Sequence, residues 1–139
     1  MTDAASRPPR LLKRRDFLAA ARARKWSTPG FVLQARQRKP EEIEGANPPA
    51  ARVGFTASKK VGNAVARNRA KRRLRALADE MTPSLGRHGW DYVLIARAET
   101  TASLPFLRLK ADLVKAFVRV HSNRPSNQQR QPRREKRPS

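Results

Sequence analysis

Apolar residues recur along this chain with two periods. Phe31-Val32-Leu33-Gln34-Ala35-Arg36 alternates, with Phe31, Leu33 and Ala35 on one face and Val32, Gln34 and Arg36 on the other, which predicts a half-buried strand. Arg52 to Ser58 alternates too, after a turn-forming loop from Lys39 to Ala51 that holds Pro40, Gly45, Pro48 and Pro49. Trp90 to Arg97 carries the continuous apolar run of a buried strand. The helical period governs the rest. Asp16 begins a helix through Lys25 with Phe17, Ala20, Ala21 and Arg24 on one side, and Trp26 to Gly30 breaks it. Asn63 caps a second helix that runs to about Met81, because Pro83 disfavours helical geometry at the residue before it. A last helix starts at Ser103 with Pro105 in its first turn, and Phe106, Leu109, Leu113, Phe117 and Val120 recur on one face.

The predicted order is αββαβα, a single-domain α+β sandwich over residues 10–122. Residues 1–9 and 123–139 are polar, Pro-rich and poor in large apolar side chains, and they are expected to be disordered tails. Charge then narrows the class. The 139 residues hold 32 Lys and Arg against 11 Asp and Glu, a formal net charge of +21, which points to a polyanionic partner. No apolar run is long enough to span a bilayer and no signal-peptide pattern opens the chain, so no membrane partner and a cytoplasmic location are expected. The absence of Cys excludes disulfides, thiolate metal sites and cysteine nucleophiles. His88 and His121 stand far apart without a carboxylate cluster, so no protein-bound metal or cofactor is expected.

The candidate chemistry lies between Lys59 and Leu77. At 100° per residue, Ala66, Ala70, Leu74, Leu77 and Met81 form an apolar stripe, while Asn68, Lys71, Arg72 and Arg75 gather roughly opposite, flanked by Arg67 and Arg69. Basic helix faces are ordinarily just solubilising. Here no acidic residue occurs from Ala64 to Ala78, so the usual i, i+4 pairing to Glu is missing and like charges repel. Phosphates would offset that cost through charge-assisted contacts. Arg presents a planar fork to phosphate oxygens, Lys a point charge, and Asn68 suits a sugar hydroxyl or base edge. Lys59, Lys60 and the turn at Gly62 place further cations near the N-terminus of the helix, which Asn63 opens.

At these residues the chain resembles the bacterial ribonuclease P protein family. The stretch Arg52-Val53-Gly54-Phe55-Thr56-Ala57-Ser58-Lys59-Lys60-Val61-Gly62-Asn63-Ala64-Val65-Ala66-Arg67-Asn68-Arg69-Ala70-Lys71-Arg72 matches its strand, Ser-Lys-Lys turn and Arg-Asn-Arg helix. Weaker likeness covers Lys13 to Phe17, Phe31 to Leu33 and Tyr92 to Arg97. The resemblance implies a left-handed crossover between parallel strands, against the right-handed rule. It implies that Arg67, Asn68, Arg69, Lys71 and Arg72 sit against the catalytic RNA, and the charge pattern adds Lys59, Lys60, Asn63 and Arg75 to the expected RNA-binding residues. It also implies a cleft between the first helix and the sheet for the single-stranded 5′ leader of precursor tRNA. Phe17 matches a cleft aromatic, for which the alternative is a ring buried under the helix. Ala21 and Gln34 stand where relatives often carry aromatics, leaving Arg14, Gln34 and Arg36 to supply polar contacts.

The implied function is the protein subunit of ribonuclease P, a monomer in a 1:1 complex with its RNA, in which RNA-bound Mg2+ carries phosphodiester hydrolysis. No catalytic residue is expected in the chain, since Asp16, Asp79, Glu80, Asp91 and Asp112 are scattered singly and such carboxylates are usually solvated or capping groups. A structural ribosomal RNA-binding protein fits the charge equally well, and the ordered Arg-Asn-Arg helix after Ser-Lys-Lys separates the two. A helix-turn-helix DNA binder needs a helix before residues 63–81, where the pattern predicts a strand, so no DNA partner is expected.

Overall fold

The computed structural model describes residues 8–40 and 50–122. The expected disorder of 1–7 and 123–139 and most of the 39–51 loop lie outside the described residues. Pro8 and Pro9, assigned to the N-terminal tail, belong instead to the fold: Val53 N–H donates to the Pro9 carbonyl at 2.9 Å, and Arg10 forms a parallel bridge to Val53.

The elements are α1 (Arg14–Ala21), β1 (Arg24–Ser27), β2 (Phe31–Gln37), β3 (Arg52–Thr56), α2 (Ala64–Leu85), β4 (Trp90–Ala96), a single-turn α3 (Thr100–Ser103) and α4 (Phe106–Val120). A 3-10 turn at Lys59–Val61 joins β3 to α2. The strands form one sheet in the order β1-β2-β4-β3, in which β3 and β4 run parallel and α2 connects them. The six expected elements are all present, and two were missed.

The first is β1, which replaces the expected end of the first helix. α1 stops at Ala21, and Arg24–Ser27 pairs antiparallel with β2, Trp26 opposite Leu33, so that Trp26 packs on the core. Four residues are too few for period to speak, and pairing with β2 decides the conformation. The second is α3, which precedes Phe106, so that Pro105 is the N-cap of α4 rather than a residue of its first turn. α2 also continues past Met81 through Pro83 to Leu85. The bond from residue 83 to the carbonyl of Asp79 is lost, but Thr82 is buried and Leu85 packs against the core, so tertiary contacts carry the last turn.

Side-chain alternation sorts the sheet into two faces, as predicted for β2. Phe31, Leu33, Val53, Trp90, Tyr92 and Leu94 meet Ala70, Leu74 and Leu77 of α2 and Leu109, Leu113 and Phe117 of α4. Each fully buried large side chain here stabilises by roughly 1.5–3 kcal/mol. The opposite face is thinner: Leu11, Ala20 and Val93, with Phe17 and Ile95 beside them, hold α1. Its remainder is polar, because Arg36, Asp91 and Arg52 form one row across β2, β4 and β3.

Candidate nucleic-acid interface

The segment after β3 is built to start a helix. Ser58 Oγ accepts from Lys60 N–H at 3.2 Å, Gly62 takes φ 141°, a conformation that favours glycine, and Asn63 Oδ1 accepts from Ala66 N–H at 3.0 Å. Asn63 is therefore a cap as expected, and only its amide group remains to meet a ligand. Along the first half of α2, Asn68, Arg69, Arg72 and Arg75 are exposed while Ala70 and Leu74 are buried, so the apolar stripe docks and the guanidinium side faces outward. Lys59 and Lys60 are exposed on the adjoining turn, and Lys71 is half-buried.

Among the described residues, none of Lys59, Lys60, Arg67, Arg69, Lys71, Arg72 and Arg75 forms an ion pair. The helix acids sit at the other end, where Asp79 pairs with Arg10 at 2.9 Å and Glu80 with Lys110 at 2.5 Å. Two of the predicted cations have structural ties as well. Arg67 is half-buried and donates to the Gly62 carbonyl at 2.9 Å, and Arg75 lies over the Phe55 ring at 6.0 Å. Arg73 turns away and donates to the carbonyls of Thr101, Ala102 and Leu104, tying α2 to α3.

Between α1 and the sheet lies a cleft of about 760 Å³, whose lining includes Arg10, Lys13, Arg15, Asp16, Arg36 and Arg52. Of the four residues predicted for it, only Arg36 lines it. Arg14 is exposed outside it, and Gln34 is buried on the sheet face. Phe17 is half-buried with its ring over Gly54, where an added Cβ would lie 2.6 Å from the ring. Arg10, Lys13, Arg15 and Arg52 were missed; the polar alternation of β3 puts Arg52 on the same face as Arg36, a signal available once pairing is known.

The carboxylates read as scattered and solvated need a further correction. Asp91 is fully buried and accepts from Arg52 Nε and Nη2, both at 2.8 Å, from Arg38 Nη1 at 2.5 Å and from Arg36 Nη2 at 3.1 Å. Asp16 approaches Arg36 and Arg52 at 3.6 and 3.5 Å. Burial alone would raise the Asp91 pKa, but the hydrogen bonds and charges of Arg52 and Arg38 outweigh it and hold the carboxyl below its ordinary value. Such a carboxylate orients guanidiniums at the cleft floor. It is already saturated by them, and no group of three or more metal-ligating side chains exists among the described residues.

The family model for ribonuclease P matches residues 6–121. This chain belongs to the ribonuclease P protein family. It is 56% identical over 115 residues to the ribonuclease P protein component of Ruegeria pomeroyi, covering 83% of this chain and 88% of that one. To the Paramagnetospirillum magneticum component it is 47% identical over 117 residues, covering 84% and 85%. The fold is similar to that of the Thermotoga maritima RNase P protein, with TM-score 0.63 and 25% identity over 81% of this chain and 98% of that one. The Staphylococcus aureus RNase P protein gives TM-score 0.61 and 26% identity over 81% and 94%. As a ribonuclease P protein the chain is a subunit of an endonuclease ribonucleoprotein that matures tRNA 5′ ends, with catalysis in the RNA. No described helix is long and apolar enough to cross a membrane.

Proposed function

We propose that the outward side of α2, with the Lys59-Lys60 turn, binds the catalytic RNA, and that the α1 cleft binds the 5′ leader of precursor tRNA. The observation that carries the first part is a helix face of arginines without acidic partners, held in place by a buried apolar stripe and two caps. Asn68, Arg69, Arg72 and Arg75 project from it, Lys59, Lys60 and Asn63 extend it around the helix start, and Arg67 and Lys71 border it. Released counterions would drive association.

The cleft supports the second part through chemistry that differs from the prediction. Its cations Arg10, Lys13, Arg15, Arg36 and Arg52 present phosphate-binding groups, while Phe17 and Gln34 lie outside its lining and Arg14 stands at the α1 surface. A leader strand would be held by its backbone more than by stacked bases. The protein thereby screens two polyanions from one another and lowers the Mg2+ that the RNA requires, as one protein per RNA in the cytoplasm. It supplies no proton donor or metal ligand to the cut itself.

Reconstitution with a bacterial ribonuclease P RNA at low Mg2+ tests this. Leader removal should accelerate on adding the protein, and a precursor with a leader should compete better than mature tRNA. Absence of stimulation with several cognate RNAs would refute the proposal.

A further inference from the structure

The geometry points to the outer side of α4 as a docking surface for an acidic amphipathic helix of another protein. This goes beyond the RNA-binding reading and does not rest on it, since the residues concerned belong neither to the α2 face nor to the α1 cleft.

Three sectors run along α4. Leu109, Leu113, Ala116, Phe117 and Val120 are buried in the main core. Roughly opposite, Leu107, Ala111, Val114 and Val118 are exposed, and at 100° per residue they fall within about 60° of one another. Beside them stands an exposed basic ridge of Arg108, Lys115 and Arg119. Leu107, Val114 and Val118 keep 76%, 39% and 63% of their surface in solvent. Single exposed apolar side chains are ordinary, but three of the six large ones among the described residues lie on this one line. Their spacing, with Ala111, of four, three and four residues is that of a coiled-coil seam. A helix that only covered the sheet would be polar at these positions, as the outward side of α2 is.

The charges select the partner. In an antiparallel pair of two copies the ridge would face itself, Arg108 against Lys115, and in a parallel pair it would face Lys110 on the other flank of the seam. Both arrangements set like charges together between molecules that each carry +21. RNA would engage the ridge but leave the apolar seam against a polar backbone. A bilayer calls for bulky apolar side chains, and this stripe is mostly Ala and Val. A helix with its own apolar seam and Glu or Asp beside it satisfies both sectors at once. The chain itself offers little acid there: Asp112 is the single acidic residue of α4, and Arg108 already engages it at 3.2 Å. Lys115 forms no ion pair among the described residues, and Arg119 lies over the Trp26 ring at 5.2 Å.

Two labelled synthetic helices of about three heptads serve as probes, one with Leu along the seam and Glu on its flanks, the other with the same residues in shuffled order. Each is titrated into the full-length protein bound to ribonuclease P RNA at about 0.15 M salt, so that RNA and salt suppress general attraction to a basic protein. The ordered helix should bind about tenfold tighter than the shuffled one, and Leu107→Ser combined with Val118→Ser, which alters no charge, should remove that advantage. Leader removal and melting temperature should stay as they were in the serine variant. Lys115→Glu should weaken the acidic helix about fivefold and strengthen a third probe with Lys in place of Glu. Equal binding of the ordered and shuffled helices, or an advantage that survives the serine variant, would overturn the proposal. So would phosphatidylglycerol vesicles that bind the parent complex but not the serine variant, or a dimer in sedimentation that the serine variant dissolves. In cells, a photo-cross-linking residue in place of Val114 should join α4 to a protein segment with apolar residues at heptad spacing and Glu or Asp beside them, read by mass spectrometry. No such segment, or cross-links only to RNA, to lipid or to this same chain, would refute the assignment.

Discussion

Replacing Asp91 by Asn tests whether the polar row beneath α1 holds the sheet together. The side chain is fully buried and anchors Arg36, Arg38 and Arg52, whose own side chains are 12%, 5% and 29% exposed. Loss of the charge leaves three guanidiniums close together without the carboxylate they share. Breaking a buried pair by removing one partner costs about 3–5 kcal/mol. That is a large part of the total stability expected for a domain, about 5–15 kcal/mol. At about 4 °C per kcal/mol for a domain of this size, the melting temperature should fall by roughly 12–20 °C. Thermal and urea unfolding followed by circular dichroism read both quantities. Asp112→Asn is the comparison, since its i, i+4 partner Arg108 is half exposed and the pair contributes about 0.5 kcal/mol or less. If Asp91→Asn destabilises no more than Asp112→Asn, the cluster is not structural and the reasoning fails. The pKa direction adds a pH test: the Asp91 contribution is present above the ordinary carboxylate range and is lost as pH falls below it through the lowered folded value.

Arg69→Ala and Arg72→Ala should each shallow the salt dependence of RNA affinity by roughly 0.7–0.9 without changing the melting temperature, and an unchanged slope would remove that residue from the interface. His121 is pushed down to about 4, by burial first and then by the charges of Arg87 and Arg24. The Tyr92 hydroxyl, itself raised to about 12 chiefly by burial, accepts from Arg87 N–H and shares a 2.7 Å hydrogen bond with Nε2 of His121. Its folded value lies below the unfolded one, so its contribution to stability is full above about 6.5 and declines as pH falls toward 4. An NMR titration of that ring with a midpoint at 6 or above would contradict this. Gly54→Ala drives a methyl into the Phe17 ring, and overpacking of this kind costs about 1–3 kcal/mol. Restoration of stability by Gly54→Ala combined with Phe17→Leu would confirm the contact, and no loss in the single variant would exclude it.

Legible from the order of residues alone were the period of each long element, the buried stripe of α2 with its outward arginines, and the Asn63 cap. These are properties of consecutive residues, and local geometry expresses them. The long Ser-Lys-Lys to Arg-Asn-Arg stretch also carried the family. Tertiary structure decided what depends on distant partners. Trp26 became a strand residue because β2 offered an edge, and α2 ran on through Pro83 because Thr82 and Leu85 had a core to meet. Asp91 and Asp16, 75 positions apart in sequence, came to share arginines only when β2, β4 and β3 aligned in register beneath α1. The same alignment lined the cleft with Arg10, Arg15 and Arg52. Arg97 shows the division within one residue: its charge is legible in the chain, but Thr28 and Thr101 hold it in place only in the folded molecule. Hydrophobic period is a sum over neighbours, whereas a polar site is a meeting of strangers whose energy exists only after the backbone has closed.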